Sequence, residues 1–152
     1  MISVEFPKGW RHALAQALCC ALLLSLCACQ PENNGTVFYQ MRIDSARITG
    51  MRIDDPAGER SLLVQDMSEL SDFIKLLSQS ALGKRTLGAQ PDGMTVLTFY
   101  SNGGPIGSLE LNGDFAFVTG VLFKWADSFD MGTIDTLFDD FPTQVSSLPA
   151  SP

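Results

Sequence analysis

Apolar and polar positions change their period several times along this chain of 152 residues. Ala13 to Leu26 is nearly unbroken apolar sequence, interrupted by Gln16 and closed by Leu26-Cys27-Ala28-Cys29. A short polar segment, Gln30 to Gly35, follows. Thr36 to Ile53 is rich in β-branched and aromatic residues and reads as strand. Within it Met41-Arg42-Ile43-Asp44 recurs as Met51-Arg52-Ile53-Asp54. A single repeat of that period is too short for a solenoid unit, and it reads as coincidence or as two similar strand pieces. Asp54-Asp55-Pro56-Ala57-Gly58-Glu59 is turn chemistry: Asp54 and Asp55 suit entry, Pro56 fixes φ and Gly58 permits positive φ. Ser61 to Gln65 returns as a strand, which predicts a hairpin.

The period then becomes helical. Met67, Leu70, Phe73, Ile74 and Leu77 recur at helical spacing, with Ser71, Asp72, Lys75 and Ser78 largely between them. Asp66 suits the cap and Glu69 the capping-box position. The helix is expected to end near Ser80, with Gly83 as terminator and Lys84 and Arg85 near the negative end of its dipole. Leu87 to Gly93 reads as a loop. From Met94 to Trp125 the pattern predicts a meander of four short strands, Met94–Tyr100, Ile106–Leu111, Phe115–Thr119 and Val121–Trp125. Asn112-Gly113 is its strongest hairpin signal, as a type I′ turn. After a loop from Ala126 to Gly132, Thr133 caps a short helix with the stripe Ile134, Leu137, Phe138 and Phe141. Asp135, Asp139 and Asp140 face water there. Thr143 to Pro152 reads as a disordered tail. Two strands, a helix, a four-strand meander and a short helix define an α+β class, a mainly antiparallel sheet with helices on one face.

The apolar segment from Ala13 to Leu26 falls short of the roughly 20 residues that span a bilayer as a helix. With Lys8 and Arg11 before it and a small-residue exit after it, it suits a signal-peptide core. Leu26, Cys27, Ala28 and Cys29 resemble the lipobox of bacterial lipoprotein precursors. The resemblance implies cleavage before Cys29 and a diacylglyceryl group on that cysteine, usually with a further N-acyl chain in Gram-negative bacteria. Two or more acyl chains give stable anchoring where one gives marginal binding. Gln30, in place of the Asp that favours inner-membrane retention, implies the outer membrane. The expected organisation is a leader at 1–28, an acylated Cys29 with a short tether at 29–35, one domain at 36–142 and the tail at 143–152. The order of Asp66–Leu77, Thr98-Phe99-Tyr100 and Asn102-Gly103-Gly104 is also similar to that of small α+β domains of bacterial lipoproteins, a likeness that brings no activity with it.

Composition changes the picture chiefly by exclusion. The whole chain carries a net charge of −7. Two of its ten basic residues and one of its seventeen acidic residues lie in the leader, so the remainder balances at −8. That disfavours nucleic acid, whose phosphates need a basic face, and electrostatic adhesion to anionic lipid, so membrane attachment is expected to come from the acyl groups themselves. The cysteines are Cys19, Cys20, Cys27 and Cys29, and the one histidine is His12. Cleavage before Cys29 leaves a chain without histidine or free thiol. Such a chain has no Cys or His zinc site, no Ser-His-Asp triad and no cysteine nucleophile. No cofactor is expected.

Among the remaining candidates, the cluster of Asp54, Asp55 and Glu59 lacks the spacing of a calcium loop and reads as a turn. Phe115 and Phe117 share one strand face, Phe123 and Trp125 another, and both pairs read first as packing. Trp125 is expected at a rim beside the acidic loop of Asp127 and Asp130, where a partly exposed indole anchors interfaces. Asp135 and Asp139 stand four residues apart on one helix face. Trp125, Asp127, Asp130, Asp135 and Asp139 are therefore the candidate interaction residues. The function expected is that of a lipoprotein held by Cys29 and facing the periplasm, non-catalytic, with an envelope protein as partner. An inhibitor or immunity protein against a cell-wall-degrading enzyme is the alternative, and a carboxylate-dependent hydrolase the remote one.

Overall fold

The computed structural model describes residues 34–65 and 67–147. The leader, the lipobox residues Leu26, Cys27, Ala28 and Cys29, and the expected cap Asp66 lie outside the described residues. The fold has mixed helices and strands and is dominated by one antiparallel sheet. In chain order it runs α1 (Val37–Met41), a 3-10 turn (Ser45–Arg47), β1 (Gly50–Asp55), β2 (Arg60–Val64), α2 (Met67–Gln79), β3 (Leu82–Arg85), β4 (Thr95–Ser101), β5 (Gly104–Leu111), β6 (Phe115–Val118), β7 (Val121–Trp125), α3 (Gly132–Asp140), a 3-10 turn (Pro142–Gln144) and β8 (Val145–Ser147). The eight strands form one sheet in the order β3-β7-β6-β5-β4-β1-β2-β8. Among the described residues no helix is long and apolar enough to cross a membrane.

The register explains which residues are inside. Met51 faces Val64 on one side and Phe99 on the other, and Ile53 faces Leu62 and Leu97. These six are buried, as are Leu109, Leu111, Ala116, Val118 and Phe123 further across the sheet. Alternation of side chains along each strand puts them on one face. Leu70, Phe73, Ile74 and Leu77 of α2 and Ile134, Leu137 and Phe138 of α3 join them in the same core cluster. Phe115 and Phe117, half-buried, alternate with buried Ala116 and Val118 and so belong to the opposite face.

Several local expectations are corrected. Thr36 to Ile53 is not one strand. Val37, Phe38 and Met41 recur at helical spacing, and burying Val37 and Phe38 in the core favours α1. The helix stops at Arg42, whose φ of 55° is left-handed. Arg42 donates its backbone N–H to Tyr39 O and Ile43 donates to Phe38 O, the two bonds of a Schellman motif. The tetrapeptide Met-Arg-Ile-Asp therefore ends a helix at 41–44 and lies within β1 at 51–54.

Gly83, Lys84 and Arg85 do not terminate α2. They continue β3, because Leu82 and Arg85 pair with Trp125 and Phe123 of β7. The outer edge of β3 is covered by residues 34–36: Asn34 N–H donates to Leu82 O at 3.1 Å, Leu82 N–H to Gly35 O at 2.8 Å, and Thr36 bridges Ala81. At the first hairpin, positive φ falls on Glu59 rather than Gly58. Gly58 is needed for space, since a Cβ there would lie 2.6 Å from Asp55 Oδ2 and 2.7 Å from Arg60 Nε.

The type I′ geometry expected at Asn112-Gly113 occurs elsewhere. Asn102-Gly103 and Thr119-Gly120 have positive φ at both central positions, as that turn requires. Asn112-Gly113-Asp114 is a longer loop in which Asn112 Oδ1 accepts from the backbone N–H of Asp114 and of Phe115. The tail also differs from expectation. Val145 to Ser147 pairs with Leu62 to Arg60 as β8, and Val145 packs against the core. Pairing satisfies backbone groups of β2 that would otherwise form an open edge.

Candidate functional site

The loop between β7 and α3 is fixed from both sides. Ala126 N–H donates to Ala81 O at 3.0 Å, beside the end of α2. Trp125 N–H donates to Asp114 O at 3.0 Å and Phe129 N–H to Gly113 O at 2.9 Å. The Asn112–Asp114 loop thus supplies the carbonyls that hold Trp125 and Phe129 in place. Trp125 is buried, with 4% of its surface exposed. Its indole Nε1–H donates to Asn112 O at 2.9 Å, and its ring stacks on Phe129. The rim position expected for Trp125 is therefore corrected: the strand register directs it inward, where it supports the loop from behind.

Above this support lies a cavity of about 410 Å³, lined by Leu76, Gln79 and Ser80 at the end of α2 and by Asp127, Phe129 and Asp130 of the loop. Leu76 is a partly exposed leucine and Phe129 is buried. Together they give the cavity an apolar part of its lining, beside the exposed carboxylates of Asp127 and Asp130. Asp130 has a second duty. Its Oδ1 accepts from Gly132 N–H at 2.9 Å at the start of α3, the place expected for Thr133. No basic residue stands in the last turn of α2, so its unbonded carbonyls add partial negative charge. Ser80 Oγ donates to Leu76 O at 2.9 Å. A lining that combines apolar side chains with carboxylates suits a cationic group carried on an aliphatic stem, such as a lysine or arginine side chain.

The other candidates are placed apart from this cavity. Asp135 pairs with Arg60 of β2, which also binds Asp55 at 2.8 Å. The guanidinium lies 4.0 Å above the Phe138 ring. The hydrogen bond to Asp55 raises the Arg60 pKa most, with Asp135 adding to it against the opposing effect of burial. The basic partner of Asp135 is thus in the same chain. Asp139 is exposed. Asp54 accepts from Arg52 Nε at 2.8 Å and Ser61 Oγ at 2.7 Å. Asp54 and Asp55 follow each other in a strand and so point to opposite faces. Among the described residues no group of three metal-ligating side chains converges.

Sequence reasoning missed a second cavity of about 340 Å³ bordered by Thr49, Gly50, Arg52, Leu63, Gln65, Tyr100 and Gly103. Its residues come from β1, β2, β4 and their flanks, and only the cross-strand register unites them. No protein family, curated protein or solved structure matches this chain.

Proposed function

We propose that this chain is a lipoprotein, held by acyl groups on Cys29 to the outer membrane and facing the periplasm, whose domain has a non-catalytic binding role in the cell envelope. The anchor rests on the resemblance of Leu26-Cys27-Ala28-Cys29 to a lipobox. The observation that carries the binding role is the cavity lined together by Asp127, Asp130, Leu76 and Phe129 at the C-terminal end of α2. The partner is a protein that inserts a lysine or arginine side chain there. In this reading α2 and α3 cover the sheet face of Met51 and Ile53, and Trp125 supports the cavity without touching the partner.

The test is capture from a detergent-solubilised envelope extract of the protein's own organism. The full chain is compared with the Asp127→Asn/Asp130→Asn variant. The reading predicts a stoichiometric partner retained by the parent and lost by the variant. An identical set of retained proteins for both contradicts it. A second reading, an inhibitor of a cell-wall-degrading enzyme, is favoured by the same cavity, because its charge suits a basic lysozyme-like target. That reading requires the chain to slow a muramidase and the variant to do so less.

A further inference from the structure

We propose that the cavity on the outer face of β1, β2 and β4 binds the carboxyl terminus of a peptide that ends in an apolar residue. The proposal is independent of the anchor at Cys29 and of the cavity of Asp127 and Asp130.

Alternation along the strands builds the site. Arg52 lies between buried Met51 and Ile53, Leu63 between buried Leu62 and Val64, and Tyr100 follows buried Phe99. All three therefore belong to the sheet face opposite the core. Register brings them together: Arg52 stands opposite Leu63 of β2, and Gly50 opposite Tyr100 of β4. A Cβ on Gly50 would lie 3.6 Å from Gln65 Cα and 3.9 Å from Tyr100 Cβ, so its absence leaves space between those residues. Thr49 Oγ1 accepts the Asn102 N–H at 3.1 Å, which ties the β4–β5 turn to the rim.

The chemistry is set by Arg52, the one charged side chain among the described residues that line this cavity. Its Nε donates to Asp54 Oδ1 at 2.8 Å, and the same oxygen accepts from Ser61 Oγ at 2.7 Å. The guanidinium is thus held by one edge. Its Nη end has no acceptor among the described residues. Arg60 shows the completed form of this arrangement in the same chain: its Nε binds Asp55 and its Nη2 binds Asp135. At Arg52 the ligand supplies the second carboxylate. A planar fork of N–H donors matches a planar carboxylate, and a fork already oriented loses less freedom on binding. Leu63, 44% exposed, and Tyr100 offer apolar contact beside it. The side-chain amide of Gln65 both donates and accepts, as a peptide group requires. At about 340 Å³ the cavity is near the small end of the range for ligand sites, about 300–1,000 Å³. That size suits a chain end rather than a folded partner.

The test is a ligand-detected NMR titration of the full chain with N-acetyl-alanyl-leucine, its C-terminal amide and 4-methylpentanoate. The expected result is saturable binding of the acid. Binding should be at least about tenfold weaker for the amide, and for the acid with Arg52→Gln, the equivalent of one lost hydrogen bond to a charged group. Gln65→Ala, at an exposed position, should weaken it about threefold and serves as the test if Arg52→Gln does not fold. The Asp127→Asn/Asp130→Asn variant should bind the acid as the parent does, so failure here and failure of the envelope partner are read separately. Equal affinity for acid and amide, parent-like binding by both Arg52→Gln and Gln65→Ala, or no binding of the acid overturns the proposal. Equal affinity for 4-methylpentanoate assigns the site to free acids and overturns the peptide end.

Discussion

The rings of Trp125 and Phe129 lie 5.3 Å apart and within 27° of parallel. This stack joins the last residue of β7 to the loop that carries Asp127 and Asp130, so core stability and cavity shape are coupled. Trp125→Ala is expected to cost about 3–5 kcal/mol, the range for removing a large buried aromatic. Trp125→Phe keeps a ring but leaves Asn112 O without its donor, at about 1–2 kcal/mol. Chemical denaturation followed by circular dichroism measures both. Equal midpoints for the parent and Trp125→Ala would show that the indole is not structural.

The bond from Asp55 to Arg60 requires the space that Gly58 leaves. Gly58→Ala is expected to displace the guanidinium and cost about 1–3 kcal/mol, comparable to losing a hydrogen bond to a charged group. Asp135→Ala removes the more exposed partner of Arg60 and should cost less than about 1 kcal/mol. Denaturation midpoints in the reverse order would contradict this ranking.

The pKa of Arg60 is raised by folding, with Asp55 the largest cause. A raised cation pKa stabilises below its unfolded value, and that stability is lost as pH rises through the folded value. The contribution of Arg60 is therefore constant across neutral and moderately alkaline pH. Stability of Arg60→Met relative to the parent, followed from pH 7 to 10, should show a constant difference on this account. A difference that shrinks steadily across that window would contradict it.

Thr119 occupies the first central position of a type I′ turn with φ of 48°, an unfavourable conformation for a β-branched side chain. Thr119→Asn is expected to stabilise the chain by about 0.5–1 kcal/mol. A lower melting temperature for the variant would show that Thr119 makes a compensating contact.

The parts of the fold legible in the sequence are those in which a local rule and burial agree. The α2 stripe of Leu70, Phe73, Ile74 and Leu77 and the alternation within β4 and β5 are of this kind. The illegible parts depend on distant partners. Lys84 and Arg85 look like the end of a helix until β7 is beside them. Val145 to Ser147 look like a tail until the edge of β2 is there to receive them. The two copies of Met-Arg-Ile-Asp are the sharpest case: packing on the core bends one into a helix end, and pairing with β2 and β4 extends the other. At the cavity, sequence marked Asp127 and Asp130 through their charge beside Trp125. It missed Leu76 and Phe129 as the apolar lining, because the meeting of α2 and the loop is a tertiary relationship.

Asp127 and Asp130 differ in what their loss should do. Asp127→Asn should leave the fold unchanged, as its carboxylate caps nothing among the described residues. Asp130→Ala also removes the acceptor for Gly132 N–H and should cost about 1 kcal/mol as a lost cap. Melting temperatures of the two single variants separate these roles, and a larger loss for Asp127→Asn would reverse the assignment.

The intact mass of the chain recovered from the membrane fraction tests the central claim most directly. The account predicts a polypeptide beginning at Cys29 and carrying a diacylglyceryl group with a further acyl chain, absent from Cys29→Ser. A membrane-bound chain that retains residues 1–28, or that begins at an unmodified Cys29, would contradict it.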